Sequence, residues 1–489
     1  MSAKRIEPRA WHCRPADGRG RPAAFASPTR SYGLRTWALA SAVLLTGCLK
    51  ASDRFAQSAL DVNLNPPANF ELEGKPLCFA GANNYYLASK PQPMVDDVLR
   101  TAKELGFPVL RIWGFLDIGA RNGGVAYVDP WGEKPSGKKD GIYFQYFDPE
   151  SHQVAYNEGP DGLPKLDYVL TRAGELGVKI ILVLTNNWYD FGGMDQYLRW
   201  FGRDKHHEFY TAPEVRQAYK NWIEHLALRK NTLSGRVYRD DPTIFSWELG
   251  NEPRCKGTGP GASGWDNGTI VRWADEMSRY LKSLDANHMI SVGDEGFLDR
   301  GGEHWAYRAN DGVDHEALTA LPGIDFGTYH AYPEDWGAPL AWGDRWIVDH
   351  ERVARRLGKP TVLEEYGVKV MRDKQGNITK SLATRLQTYQ RWNDLALESG
   401  TNASMVWMLG GVDTLHPAPN GLYRDYDGYT VFRGDDTARL LSDVARRFTS
   451  DAPACRAARP PNRPSSPFVS AQHRAEAGPA AMGWGSSSG

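Results

Sequence analysis

The sequence predicts a (β/α)8 (TIM) barrel, α/β in class, and three observations carry that expectation. Eight short apolar runs recur along the chain, the segments between them show helical periodicity, and several of those segments close on a glycine just before the next run. Repeated strand-helix units demand a parallel sheet, since a strand reaches a parallel neighbour only through a right-handed crossover. Eight such units argue for closure. An open doubly wound sheet is the rival arrangement, but no Gly-rich dinucleotide or phosphate loop follows the first run.

Taken in order, the chain begins with a stretch that builds no core. Residues 1–36 hold eight Lys/Arg against two acids, with Pro and Gly scattered through them, and no apolar period emerges. Trp37 to Leu45 is an apolar run of signal-peptide length, well below the roughly 20 residues that span a bilayer. Leu45-Thr46-Gly47-Cys48 then resembles a bacterial lipobox, which implies cleavage before Cys48 and a lipid on its sulfur; a plain cleaved signal with a chance cysteine is the other reading. The expected organisation is a leader and signal peptide over 1–47, a short linker over 48–70, the barrel over 71–450 and a low-complexity tail over 451–489. The mature protein is expected to be exported and anchored, and to act as a monomer.

The strand-like runs are Leu77 to Tyr85, Pro108 to Trp113, Val178 to Thr185, Ile244 to Leu249, Met289 to Val292, Ile324 to Tyr329, Thr361 to Tyr366 and Ser404 to Leu409. Most are nearly continuous apolar stretches, as expected of strands covered by helices. Between them, Val95, Val98, Leu99 and Ala102 share one helical face, and Gly106, Gly177 and Gly358 sit where a left-handed cap would end a helix. A long insertion from about Val125 to Leu163 separates the second run from the next helix, and barrel logic places it at the mouth.

Composition excludes several classes of function. With 58 Lys+Arg against 59 Asp+Glu and a net charge of -1, the chain lacks the basic footprint of a nucleic-acid binder. Cys78, Cys255 and Cys455 show no CxxC spacing, so no metal site and no cofactor are inferred, and one disulfide of unassigned pairing is allowed. His206-His207, adjacent in sequence and flanked by acids, reads as surface. The 17 tryptophans call for a function that uses flat apolar faces.

Two runs end in carboxylates. The fourth leads into Trp247-Glu248-Leu249-Gly250-Asn251-Glu252-Pro253-Arg254 and the seventh into Leu363-Glu364-Glu365-Tyr366-Gly367. Carboxyls delivered to a barrel mouth from opposed strands suit glycoside cleavage, where one protonates the leaving oxygen and the other attacks the oxocarbenium-like carbon. Glu252 and Glu365 are preferred as this pair, with Glu248 read as a hydrogen-bonded barrel residue.

The Asn-Glu-Pro and Glu-Tyr-Gly segments resemble glycoside hydrolase family 5 of clan A. WELGNEPRC (247–255), NNWYDFGGM (186–194), LRIWGF (110–115) and GTYHAYP (327–333) are similar to its endo-β-1,4-mannanase subfamily. The resemblance implies a retaining double displacement on β-mannan, with Glu365 as nucleophile and Glu252 as acid and base. It implies that Arg111 keeps Glu365 ionised, Asn251 bonds the sugar 2-hydroxyl, His330 and Tyr332 orient the glutamates, and Trp407 forms the floor under the cleaved sugar. Trp113, Asn187 and Trp188 would line or support the subsites. The other readings are an exo-acting β-mannosidase, a β-1,4-glucanase and a non-enzymatic carbohydrate-binding lipoprotein.

Overall fold

The computed structural model describes residues 68–72, 75–117, 141–255 and 264–452. The leader, the signal-like run, Cys48 and the tail beyond Ala452 lie outside them. Eight parallel strands form one sheet in the order β6-β7-β8-β1-β2-β3-β4-β5. They are β1 (Phe79–Asn84), β2 (Val109–Trp113), β3 (Lys179–Val183), β4 (Ile244–Glu248), β5 (Met289–Ser291), β6 (Gly327–Ala331), β7 (Thr361–Tyr366) and β8 (Ala403–Val406). β5 and β6 share no ladder, but Asp325 N donates to Ile290 O at 2.8 Å and His330 N to Glu295 O at 3.2 Å, which brings the two ends of the sheet together. All eight expected strands are present, with ends moved by a few residues. The largest shift is in the sixth, which runs on through His330 and Ala331.

Each strand is followed by a helix. These are α1 (Gln92–Leu105), α2 (Pro164–Leu176), α3 (Pro213–Leu228), α4 (Thr269–Leu284), α5 (His315–Ala320), α6 (Trp342–Leu357), α7 (Leu382–Ser399) and α8 (Asp436–Ser450). Val95, Val98, Leu99 and Ala102 are all buried on α1, as their spacing requires. Gly106, Gly177 and Gly358 have φ of 79°, 75° and 68°, the left-handed conformation that lets a helix stop within one residue of the turn into the next strand.

The barrel is plugged at its N-terminal end by phenylalanines. Phe70, on a short hairpin of Phe70–Leu72 with Lys75–Leu77, meets Phe245 and Phe326 edge-on, each at 5.2 Å between centroids. Such pairs contribute about 0.5–1.5 kcal/mol each beyond area burial. Phe70 therefore belongs to the core, although it was expected in the linker. The plug leaves polar side chains concentrated at the other end of the strands.

The insertion after β2 is described from Gly141 onward. There it forms a hairpin of Gln145–Asp148 with Gln153–Tyr156, and Tyr156 stacks on His225 of α3 at 3.8 Å. This part covers α3, a difference from the expectation that the insertion lines the mouth; an aromatic face on the hairpin finds its partner on the nearest helix. Cys78 is disulfide-bonded, and Cys255 is a buried free thiol.

Candidate active site

The site grows from polar residues that interrupt apolar strands at their C-terminal ends. Arg111 of β2 is fully buried, and an isolated guanidinium there would be prohibitively costly. It is paired on every side. Nη1 donates to Glu365 Oε1 at 2.5 Å and to Asn83 Oδ1 at 3.1 Å, Nη2 to Glu248 Oε1 at 2.6 Å and Asn251 Oδ1 at 2.7 Å, and Nε to both Glu248 oxygens. One arginine thus ties together β1, β2, β4 and β7.

On β7 the register against β6 shifts between Tyr329 and His330, so that Tyr329 pairs with Leu363 and His330 with Glu365. The bulge breaks strict alternation of faces. Glu364 and Glu365 consequently both reach Arg111, at 3.5 Å and 2.5 Å.

Glu252 reaches the centre by another irregularity. The chain beyond β4 keeps pairing irregularly, with Asn251 N donating to Thr185 O and Glu252 N to Gly293 O, and Glu252 itself adopts φ of 51°. A non-glycine residue in that region costs about 1–3 kcal/mol, and such strain clusters at functional sites. The carboxylate is held from two sides: Trp188 Nε1 donates to Oε2 at 2.5 Å, and His330 Nδ1 lies 2.7 Å from Oε1. Tyr332 donates to Glu365 Oε2 at 2.8 Å. One oxygen from each of Glu252 and Glu365, with a ring nitrogen of His330, fall within 4.8 Å of one another. So close an approach of nearest oxygens fits carboxyls about 5–5.5 Å apart around one anomeric carbon better than the about 6.5–9.5 Å that admits a water in an inverting enzyme.

Charges in this cluster are interdependent. Burial opposes a cation at His330, but Glu365, Glu252 and Glu364 together raise its pKa well above the ordinary histidine value. Burial also acts to raise Glu252, and is overcome by His330, Arg254 and the Trp188 N–H, which bring it down to about 2. Glu365 is raised, by burial and by the charge on Glu252, against the pull of His330, Arg111 and Tyr332. The opposed shifts, His330 upward and Glu252 downward, favour the proton on the His330 side of their 2.7 Å contact.

Aromatic side chains line the surroundings. Trp407, just past β8, donates Nε1 to Asp427 at 3.0 Å and lies parallel to Tyr85, centroids 5.9 Å apart. Trp113 is buried behind it, 5.8 Å from Trp407 and under the Arg111 guanidinium at 5.1 Å, so it backs the wall rather than facing the opening. Trp188 is 36% exposed beside Glu252.

Asn187 is fully buried with Oδ1 on His206 Nε2 at 2.9 Å, and one sequence reading beside it is corrected. His206 and His207, expected at the surface, are buried, because the segment between two short helices (Gly193–Trp200 and Glu208–Thr211) folds inward and hands His206 to Asn187 and Asp195.

A family profile described as GH family 5 beta-mannosidase-like matches residues 154–420. A probable mannan endo-1,4-beta-mannosidase F of Aspergillus flavus is 36% identical over 372 residues, covering 75% of this chain and 69% of the relative. The chain belongs to glycoside hydrolase family 5. Within the family, the mannan endo-1,4-beta-mannosidase F of Aspergillus fumigatus is 34% identical over 75% of the chain and 73% of its own length. Among solved structures, an endo-1,4-beta-mannanase from Rhizomucor miehei aligns with a TM-score of 0.67 at 34% identity, covering 78% of this chain and 98% of that one. An endo-beta-1,4-mannanase from Thermotoga petrophila gives 0.66 at 38%, covering 78% and 79%.

Sequence reasoning passed over several residues that this family 5 barrel places at the site. Asn83 gives its amide to Glu364 O and Val406 O while accepting from Arg111. Its signal was present, since Asn83-Asn84 ends an otherwise apolar run. Arg254, clamped by Glu295 at 2.5 and 2.6 Å, stacks over Trp188 at 5.4 Å. It directly follows the Glu252-Pro253 step. Gly250 is closely packed, since a Cβ there would lie 3.2 Å from the side-chain tips of Met194 and Thr185 and would push on both.

Proposed function

We propose that this protein is a retaining endo-β-1,4-mannanase, with Glu365 as nucleophile and Glu252 as acid and base. The observation that carries it is the closeness of those two carboxylates across one histidine, in a chain whose relatives at 33–38% identity are named endo-mannanases. A sugar bound between them excludes water from Glu252. Since desolvation is what raises a carboxyl, binding drives the His330 proton across the 2.7 Å hydrogen bond onto Glu252. Glu365 then forms its bond to the anomeric carbon as the glycosidic bond breaks, and the departing oxygen takes the Glu252 proton. In the second step water yields a proton to Glu252, its oxygen attacks the same carbon, and Glu365 leaves as carboxylate.

The other residues act on position and charge. Arg111 and Tyr332 hold Glu365 for attack, and Asn251 offers its side chain to the 2-hydroxyl. Trp407 presents an aromatic face to the sugar's C–H side. The leaving sugar lies on the Glu252 side, where Trp188 and Arg254 stand; the retained sugar lies over Trp407 and Tyr85.

Incubation with mannohexaose is the test: di- and trisaccharides from the first turnover, with β-configured reducing ends and unchanged rates in EDTA, are expected. Mannose alone would instead establish the exo-acting mannosidase, faster cleavage of cello-oligosaccharides the glucanase, and binding without turnover a dead barrel. The proposal includes an exported protein with a lipid on Cys48, supported by the apolar run and small residues before it. Cys48→Ser is expected to move the enzyme from the membrane fraction to the soluble one; retention in the membrane defeats the anchor.

The pH profile follows from the cluster. Glu365 must be ionised, so kcat/KM falls as pH drops through its raised pKa, above the ordinary glutamate value. The shared proton must be present, so kcat/KM falls again as pH rises through a value above that of an ordinary histidine. In His330→Asn the group that elevates the alkaline limb is gone, and this limb moves to lower pH. An unmoved limb would remove His330 from the scheme.

A further inference from the structure

Two further glutamates sit beneath the catalytic pair, and the double displacement uses neither. Glu248 of β4 and Glu364 of β7 are fully buried. Glu248 accepts from Arg111 through both oxygens, at 2.6 to 3.1 Å. Glu364 turns Oε2 to His330 Nε2 at 3.4 Å and to Arg111 Nε at 3.5 Å, while its Oε1 is buried and receives no donor among the described residues. A buried carboxylate oxygen without a donor is a costly arrangement.

The surroundings offer one remedy. From β1, Asn83 spends its amide on main-chain carbonyls. From β2 comes Arg111, from β6 His330, and from β7 Glu365, whose oxygens go to Arg111 and Tyr332. After β5 the main chain at Gly293 presses against Glu248, where a Cβ would meet Oε1 at 2.3 Å, so no side chain can enter. The remaining partner is the Glu248 carboxyl: Arg111 Nε lies 3.1 and 3.0 Å from its two oxygens and 3.5 Å from Glu364 Oε2, which sets the two carboxyls side by side.

We propose that Glu248 is a neutral carboxylic acid in the working enzyme and donates its O–H to Glu364 Oε1. Charge balance supports this. Glu248, Glu252, Glu364 and Glu365, with Glu295 beside them, face Arg111, Arg254 and a protonated His330, so five anions against three cations would leave two charges uncompensated in a buried cluster. Burial pushes Glu248 well above the ordinary carboxyl range, and Glu364 is pulled down despite burial by Arg111, His330 and Glu248. A neutral Glu248 leaves the strongest ionic contact of Arg111 to Glu365, and a hydrogen-bonded Glu364 anion keeps the His330 Nε2–H in place, so that Nδ1–H stays on Glu252. Glu248 is thus a positioning residue acting through Glu364 and His330.

The kinetic consequence rests on the glycosidase reading above; the protonation state does not, and the experiment separates them. Infrared spectra of the whole protein at neutral and mildly alkaline pH are compared for wild type and Glu248→Gln, in water and in deuterium oxide. A carboxylic C=O band that shifts on deuteration and is missing in E248Q is expected. Glutamine mimics the neutral acid, so E248Q keeps kcat within about tenfold and leaves the alkaline limb of the pH profile in place, whereas Glu248→Ala loses at least about a hundredfold. Should E248Q fail to fold, Glu364→Gln replaces it: a weaker acceptor must then move the same band. Absence of any band that depends on Glu248, or a band unmoved in E364Q, overturns the proposal. If the band behaves as expected but no variant or wild type turns over mannan, the function fails and the protonated Glu248 stands.

Discussion

Glu365→Ala is expected to lose activity on β-mannan by about 10⁴-fold or more, and Glu252→Ala by about 10²–10⁴-fold, with the fold intact in both. The two losses differ in kind. Without Glu365 no glycosyl-enzyme forms. Without Glu252 a good leaving group still departs, so an activated aryl mannoside should form the intermediate and then stall for want of a base. Added azide distinguishes the roles: it enters the vacated space in each variant and attacks the anomeric carbon, giving the β-mannosyl azide in Glu252→Ala and the α-anomer in Glu365→Ala. Thermal unfolding run alongside shows whether removal of the His330 partner at Glu252 costs stability as well as rate. The same azide anomer from both variants, or undiminished hydrolysis in either, would end the assignment.

Why these two acids were legible, and others not, has a physical basis. Glu252 lies where Asn-Glu-Pro ends a strand, and the run of apolar residues before it located the strand to within a residue or two. Helix ends were equally readable, because Gly106, Gly177 and Gly358 each supply a left-handed backbone that only glycine adopts without strain. Glu365 is preferred over Glu364 from the sequence for its place directly before the Tyr366-Gly367 turn, which says nothing of where Glu364 goes. A bulge against β6 brings both to Arg111. Bulges leave no simple mark in a sequence, since they answer to neighbouring strands. His206 and His207 went astray for a similar reason. Their burial depends on the segment between the helices Gly193–Trp200 and Glu208–Thr211 folding inward, which is a matter of tertiary packing and not of local pattern.

Arg111 is where stability and catalysis meet, and its substitution separates them. Arg111→Ala leaves Glu365 and Glu364, with Glu248 beside them, without their common cation, and an uncompensated buried charge costs about 3–5 kcal/mol. A folding defect is therefore expected, read as a lower urea midpoint with an unchanged slope. The sign of its pH dependence is fixed. In the wild type the cation favours the charged carboxylates; in the variant they take up protons more readily, so the deficit relative to wild type shrinks as pH falls. Arg111→Lys keeps a charge but loses the planar fork, and one ammonium cannot serve Glu248, Glu365, Asn251 and Asn83 at once. Much of the stability should return while kcat stays about 10²–10³-fold down, because Glu365 is no longer aimed at the anomeric carbon. Wild-type kcat in Arg111→Lys would mean that charge alone suffices, and that the shared hydrogen bonds joining β1, β2, β4 and β7 contribute to the barrel without contributing to the reaction.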